Sequence, residues 1–297
     1  MTSGILVLNK PPGPSSAAIL GPVKRAMGTK KVGHSGTLDP FASGVMIVLV
    51  GRATRTARWF TALPKTYRAT VQFGTATDTL DREGAVVSTA PIPRDADVQA
   101  ALAAFSGTIS QVPPDFSAVR VQGKRAYARA RAGETVEIPP REVEITHLSM
   151  QPLGDGLWNM DVACGSGTYI RSLARDIAVS VGSVAHLQEL ERTSVGAFTL
   201  DQASTPEQLR EHENPPSVLR DAGAELRRLG TFGELTVPRD LEHPLMLGQP
   251  MTGRLESPEN KGLYLTVTTT GVPLSVLDWD GKRWRYELVL APGVPVE

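Results

Sequence analysis

The sequence predicts an α+β fold with one large domain and a small, β-rich domain that follows it. The chain has 297 residues, enough for one large domain or for a large and a small one. Its 41% apolar and 21% charged residues are ordinary globular usage, and 28 Gly with 23 Pro indicate many tight turns. Short alternating apolar runs are interleaved with a few amphipathic stretches. These observations exclude a disordered chain and a simple helical bundle.

In the N-terminal half, apolar runs alternate with turns rich in Gly, Pro and Ser, which predicts three strands and two helices. They are a strand at 4–8, a helix that Ser15 or Ser16 caps and that ends at Gly28, strands at 45–51 and 67–73, and a helix at 95–105. Residues 30–44, KKVGHSGTLDPFASG, are predicted to form a loop between regular elements. Fixed scaffolds commonly carry their chemistry on such loops.

The C-terminal half is predicted to change character near residue 231. The expected elements before it are a basic helix Lys124–Arg131, a strand Leu157–Cys164, an amphipathic helix Thr168–Val181 and a charged helical stretch at 206–228. Beyond it, short strands are broken by Gly and Pro. We therefore predict a large domain at 1–231 and a small β-rich domain at 232–297.

Composition and motif spacing argue against several classes of protein. The longest apolar run, Val45–Val50, is far shorter than the ~20 residues of a membrane span, and the N-terminus lacks the pattern of a signal peptide, so we expect a cytoplasmic protein. Cys164, the single cysteine, is predicted to be buried. Metal-ligand spacings, a phosphate-binding P-loop and a nucleophile elbow are not found, and Asp78, Asp81 and Glu83 are only a fragment of a calcium loop.

Charge is unevenly distributed although the formal net charge is zero. The first 60 residues hold eight Lys and Arg against a single acid, whereas residues 200–260 hold eleven acids against six Arg. Such polarity is typical of a protein with one phosphate-binding face, and it is also found on ordinary solvated surfaces. Charge alone leaves both interpretations open.

Two candidate groups stand out near glycine-rich turns. Asp39 is the only acid in the first 77 residues and follows His34 by five positions, so basic neighbours are expected to keep its carboxylate ionised. A structural role, capping the turn before Pro40, is the alternative. GSGTYIR at 165–171 lacks the third glycine of a dinucleotide site. Its helix start and Arg171 suit a phosphate or a carboxylate, or a routine ion pair.

Taken together, several segments resemble the bacterial TruB family of tRNA pseudouridine synthases, which isomerise uridine 55 in the T loop. The resemblance covers nearly the whole chain. It is carried, in family order, by GILVLNKPPGPSS, KKVGHSGTLDPFASGVMIVLVGRATR, KTYRATVQFGTATDTLDREG, QVPPDFSAVRVQGKRAYARARAG, SGTYIRSLARDI and AHLQELERTSVGAF. It implies a pseudouridine-synthase-type domain around a mixed, mainly antiparallel sheet, followed by a small PUA-like RNA-binding domain.

The resemblance also implies roles for individual residues. The implied roles are Asp39 as nucleophile, Tyr67 as the aromatic that stacks on the uracil, Arg171 as the partner of Asp39, His34 as the side chain that enters the T loop, and Tyr169 and Leu190 as lining of the uridine pocket. The expected partner is the T stem-loop of tRNA, bound by a monomer that needs neither cofactor nor metal. Asn9, Ser35, Phe116 and Glu191 depart from the family pattern.

Two other functions remain open from the residues alone. An RNA-binding or RNA-chaperone protein without catalysis would need the basic surface but not Asp39. A nucleoside or glycoside hydrolase would release a free base or sugar, and such enzymes generally need a second carboxylate.

Overall fold

The computed structural model describes residues 2–117, 120–121, 124–125, 138–251 and 254–290. The described residues form seven α-helices and seventeen strands. The helices are α1 (Leu20–Ala26), α2 (Ala57–Ala62), α3 (Asp95–Ala101), α4 (Ile170–Ser180), α5 (Pro206–Glu211), α6 (Ala222–Arg228) and α7 (Arg239–Met246). None of these helices is long and apolar enough to cross a membrane.

The strands are distributed over one large sheet, one small sheet and two hairpins. They are β1 (Gly4–Lys10), β2 (Val32–Ser35), β3 (Ser43–Val50), β4 (Lys65–Phe73), β5 (Thr75–Thr77), β6 (Val86–Thr89), β7 (Gly107–Gln111), β8 (Arg120–Val121), β9 (Lys124–Arg125), β10 (Arg141–Gly154), β11 (Leu157–Cys164), β12 (Ala185–Val195), β13 (Phe198–Thr199), β14 (Gly233–Thr236), β15 (Gly262–Val267), β16 (Pro273–Trp279) and β17 (Trp284–Val289).

The large sheet has nine strands and confirms the expected mixed, mainly antiparallel topology. Seven of them run in the order β1-β3-β12-β4-β11-β10-β7, with β2 added beside β3 and β13 beside β12. The single parallel pair joins β3 and β12, where Glu191 faces Ser43 and Arg192 faces Gly44. This pairing places the middle of β12 next to the segment that follows Asp39.

The alternation predicted for β4 and β11 is present and buries one face of each strand. Side chains of β4 from Lys65 to Phe73 are buried at every second position. Helix α4 covers this face with Leu173 and Ile177, neither of which is exposed to solvent. Fully burying an aliphatic side chain of this size contributes about 1.5–3 kcal/mol to stability. The helix is therefore anchored rigidly where its first turn meets the Asp39 loop.

Several predicted elements differ from those observed. Part of the loop predicted at 30–44 is strand β2, which pairs with β3. The helical stretch predicted at 206–228 is two short helices, because Pro215 and Pro216 interrupt it. Lys124–Arg125 is a strand and not the start of a basic helix, and residues 126–131 of that prediction lie outside the described residues.

The C-terminal region is β-rich, as predicted, but it also contains helix α7. Its four strands form a separate sheet in the order β14-β15-β16-β17. One face of this sheet shares a hydrophobic cluster with the large sheet, in which Leu265 and Val276 belong with Ile5, Val7 and Ile47. The β-rich region therefore packs onto β1 and β3, on which the Asp39 loop is built.

Candidate active site

Asp39 lies in the short connection between β2 and β3, and its neighbours hold this connection in place. Ser16 Oγ donates to Leu38 O at 2.7 Å and accepts from Leu38 N at 2.8 Å. Gly13 N donates to Pro40 O at 2.8 Å. The residues on both sides of Asp39 are thus fastened to the glycine- and proline-rich segment after β1. This segment matters for the position of Asp39 although it carries no reactive group of its own.

Lys10 lies completely buried beneath the same loop. Its ammonium group donates to the carbonyls of Pro11, Pro40 and Ala42 at 2.9, 3.1 and 2.7 Å. Burial lowers the pKa of Lys10 to about 8, against the carboxylate of Asp39, which raises it. This basic residue of the N-terminal segment supports the loop from inside and is not part of a solvent-exposed phosphate-binding surface.

Arg171, the second residue of α4, forms an ion pair with Asp39. Its Nε lies 2.9 Å from Asp39 Oδ2, without the alignment of a hydrogen bond. Arg171 is 3% exposed, whereas the Asp39 side chain is 32% exposed. The two terminal nitrogens donate to Thr79 O at 2.6 Å and Phe116 O at 2.9 Å. The guanidinium therefore lies behind the carboxylate and leaves part of it open to a ligand.

Asp81 is a second carboxylate on Arg171, and sequence reasoning missed its role. Its Oδ2 lies 3.4 Å from Arg171 Nη1. Its Oδ1 accepts from Thr79 Oγ1 at 2.7 Å and from Glu83 N at 3.0 Å. The sequence offered Asp81 only as part of a poor calcium loop. The other ligands of a calcium loop are missing around Asp81 in the sequence, and this was the available signal that the carboxylate has a different partner.

The balance of burial and charge raises the pKa of Asp39 above its ordinary value. Burial is the largest cause, the Arg171 guanidinium opposes it, and the negative charge of Asp81 adds to it. The basic neighbours Arg171 and Lys10 do favour the ionised form, as expected, but burial has the larger effect on the pKa. Desolvating a carboxylate outweighs the nearby positive charge here. Asp39 holds its proton more tightly than an exposed aspartate does.

Tyr67 lies on β4, beside the Asp39 loop. It belongs to the same buried cluster as Leu38 and Phe41, which flank Asp39. Burial raises the pKa of the Tyr67 phenol, and the Arg192 guanidinium lowers it. The phenol is therefore neutral near pH 7, and its ring is held among apolar side chains.

Tyr169 and Leu190 lie on two different walls of the region. The backbone of Tyr169 is held by the Gln111 side chain, which accepts from Tyr169 N at 2.8 Å and donates to Tyr169 O at 3.1 Å. The Arg141 guanidinium lies 4.6 Å from the centre of the Tyr169 ring. Leu190 is buried on β12 and lines a cleft together with Phe41.

This cleft has a volume of about 260 Å³ and borders the segment that follows Asp39. Its walls are formed by Pro12, Phe41, Ser43, Arg68, Ala69, Thr70, Arg82, Asn159, Glu189, Leu190 and Glu191. A larger cavity of about 430 Å³ lies elsewhere, between α1 and α5, and holds none of the predicted site residues. Volume alone therefore does not identify the reactive region.

His34 lies on β2 and not in the Asp39 loop itself. Its backbone pairs with Val48 of β3, and its Nδ1 is buried without a hydrogen-bond partner among the described residues. Burial lowers the pKa of His34, and the positive charge of Arg192 lowers it further. The imidazole is therefore neutral near pH 7, which suits a side chain that stacks or inserts between bases.

The assembled geometry suits chemistry that uses one carboxylate. Asp39 is partly open, and the neighbouring Asp81 is directed at Arg171 and hydrogen-bonded on its other oxygen. A hydrolase that protonates a leaving group and activates water generally uses two available carboxyl groups. The site instead fits a reaction in which one carboxylate works beside a neutral phenol and a buried guanidinium.

Comparisons with known proteins agree on one family. A model described as TruB family pseudouridylate synthase (N terminal domain) matches residues 24–170. The tRNA pseudouridine synthase B of Mycobacterium sp. (strain KMS) is 40% identical over 296 residues, covering 97% of this chain and 96% of the relative. That of Arthrobacter sp. (strain FB24) is 45% identical over 219 residues, covering 71% and 72%.

Among solved structures, the fold is similar to that in a crystal structure of a Cbf5-Nop10-Gar1 complex. The TM-score is 0.73 at 21% identity, and the match covers 98% of this chain and 86% of the other. At this level of identity the likeness supports the fold alone.

Proposed function

The chain belongs to the TruB family of pseudouridylate synthases, and on this premise we propose that it isomerises uridine 55 in the T loop of tRNA, with Asp39 as the reactive carboxylate. Its relatives that match over nearly the full length are tRNA pseudouridine synthases, and the chain is an enzyme of that kind. The observation that carries the residue assignment is the ion pair between the partly open Asp39 and the buried Arg171.

The reaction conserves the composition of the nucleotide. The N1–C1′ bond breaks, the uracil turns, and a C5–C1′ bond forms, while C5 loses a proton and N1 gains one. Neither electrons nor water enter the balance, so the reaction needs no redox cofactor. Asp39 supplies the carboxylate of the bond-breaking step. Arg171 orients it, because the other guanidinium nitrogens are held by the carbonyls of Thr79 and Phe116.

The target base must leave the stack of the T loop before it can react. Base extrusion costs a few kcal/mol, and stacking on an aromatic ring offsets about 1–3 kcal/mol of this. We assign that stacking to Tyr67, and we place Tyr169 and Leu190 around the uridine. His34 enters the T loop, and its neutral imidazole is compatible with contact to bases.

The remaining parts of the proposal concern the whole protein. Residues 232–297 form a PUA-like domain that binds RNA beside the catalytic domain at 1–231. The β-rich character of the C-terminal region and the start of its sheet at Gly233 support this division. A tRNA substrate calls for a cytoplasmic enzyme. Because Asp39, Arg171 and Tyr67 come from one chain, a monomer is sufficient for the site.

The direct test is incubation of a T stem-loop transcript with the protein, followed by nuclease digestion and chromatography of the nucleosides. We expect pseudouridine at the target position and no free uracil. Free uracil would indicate a hydrolase, and RNA binding without any new nucleoside would indicate a binding protein. Tritium release from C5-labelled tRNA measures the same reaction through the loss of the C5 proton.

A further inference from the structure

Arg192 joins the two ends of the Asp39 loop from inside the protein. It lies on β12 and is 1% exposed. Its Nε donates to Val45 O at 2.6 Å, and its Nη2 donates to Gly36 O at 3.2 Å. Gly36 follows β2 directly and Val45 lies near the start of β3, so one guanidinium spans the whole connection that carries Asp39.

The backbone of Arg192 is held as tightly as its side chain. It pairs with Gly44 in the single parallel contact of the large sheet and with Tyr67 on the opposite side. A Cβ atom at Gly44 would lie 2.2 Å from Arg192 O, so only glycine allows the two strands to approach this closely. Arg192 therefore stands between the strand that leaves the Asp39 loop and the strand that carries Tyr67.

The charge of Arg192 has no ion-pair partner among the carboxylates of the described residues. Burial and, to a smaller extent, the charge of Arg192 lower the pKa of Lys65 to about 8. Both cations are therefore buried in the same region. Burying a cation without a counterion costs several kcal/mol, against which its two hydrogen bonds to carbonyl groups act. An apolar residue would fill the space at a lower cost, so packing alone does not account for a guanidinium here.

We propose that Arg192 is a positioning residue that fixes the Asp39 loop at both ends and holds it in register with Tyr67. The guanidinium of Arg192 reaches the two carbonyls from two different nitrogens held in one plane. An ammonium group can serve several carbonyls only where they converge on one point, as they do around Lys10. This proposal rests on the proposed function, because it concerns the geometry of the same reaction.

The test is Arg192→Lys, which keeps the positive charge but removes the fork. We expect the single-turnover rate of tritium release at saturating enzyme to fall about 10–100-fold, because displacement of a reactive group by about 1 Å can cost 100-fold. The dissociation constant for tRNA should stay within roughly threefold, since Arg192 is buried away from solvent. Arg94→Lys is the matched control, because Arg94 also makes two guanidinium hydrogen bonds, to Asp97, but on the surface.

The outcomes separate positioning from charge and from folding. A rate within threefold of the wild type would overturn the proposal, since charge alone would then suffice. A loss that matches the fraction of unfolded protein, or one confined to tRNA affinity, would also overturn it. If Arg192→Lys does not fold, Arg192→Gln takes its place, and it must likewise lose rate in its folded fraction. An inactive wild type would contradict the proposed function itself, before any variant is compared.

Discussion

Replacing Arg171 by lysine should remove the geometry of the active site while keeping its charge. The resemblance implies that Arg171 is the partner of Asp39, and in the structure Arg171 gives Asp39 one nitrogen and distributes the others over Thr79, Phe116 and Asp81. A lysine has one nitrogen on a flexible stem and cannot occupy all these positions. Its ammonium would settle among some of the acceptors and leave the Asp39 carboxylate free to move.

The magnitude follows from the lost contacts. A hydrogen bond from a charged donor contributes about 1.5–3 kcal/mol, and Arg171 makes two such bonds, to the partly buried backbone carbonyls of Thr79 and Phe116. We expect Arg171→Lys to lower the free energy of unfolding by a few kcal/mol at most, because lysine regains part of this. The chemical step should fall by about 100-fold, as expected when a reacting group is misplaced by about 1 Å.

The assay is single-turnover tritium release at saturating enzyme, with tRNA affinity measured by filter binding and stability by thermal unfolding. The matched control is Arg175→Lys, one turn further along α4. Arg175 bonds Asp176 and Val112 and is 29% exposed, so its replacement should cost about 0–1 kcal/mol in stability and little in rate. An Arg171→Lys protein that is folded and retains a third or more of the wild-type rate would refute the reasoning.

The remaining predictions concern the carboxylate, the histidine and the C-terminal sheet. Asp39→Asn should abolish pseudouridine formation and leave the tRNA dissociation constant within about tenfold, because the carboxylate acts in bond breaking. Single-turnover assays measure the rate and filter binding measures the dissociation constant. Turnover above a tenth of the wild-type rate would contradict this role of Asp39. The raised pKa of Asp39 means that its proton is bound more tightly in the folded state, so kcat/KM should fall as pH decreases through a value above 3.8. Asp81→Asn should move this acid limb of the kcat/KM profile to lower pH, because the negative charge of Asp81 raises the pKa of Asp39. His34→Ala should lose less rate than Asp39→Asn. The loss should be smaller on an RNA whose T-loop tertiary pair is already broken than on the folded T loop, because base extrusion then costs less. Equal losses on both RNAs would show that His34 does not help to extrude the base. Deleting residues 232–297 should lower the melting temperature of the remainder, because Leu265 packs in one cluster with Ile5, and an unchanged melting temperature would show that the catalytic domain is independent of this sheet.

The local periodicity of apolar residues was sufficient to predict those strands and helices that bury one face. The strands at 67–73 and 157–164 alternate between apolar and polar residues, and both are present with bounds within two residues of those predicted. The helix predicted at 168–181 begins two residues later, because the extended backbone of Tyr169 is held by Gln111. The apolar periods of strands and helices depend on residues close together in the chain, so a single sequence is enough to detect them.

Strand β12 illustrates what local pattern does not decide. Of its eleven residues, AHLQELERTSV, seven are polar and they show no clean alternation, so we did not predict a strand there. The strand forms because β4 and β3 pair with it on either side. Strand propensity depends on such neighbours more than on the residues themselves.

The sequence alone determined the α+β class and the isolation of Asp39 in a basic, glycine-rich segment. Through its resemblance to known proteins it also indicated the family. The tertiary structure decided that Arg171 is shared between two carboxylates, that Arg192 spans the Asp39 loop, and that the pKa of Asp39 is raised. These properties arise from contacts between residues far apart in the chain and from the removal of water around them. Charge counted along a sequence ignores desolvation, whereas inside the folded protein desolvation is the larger effect on this carboxylate.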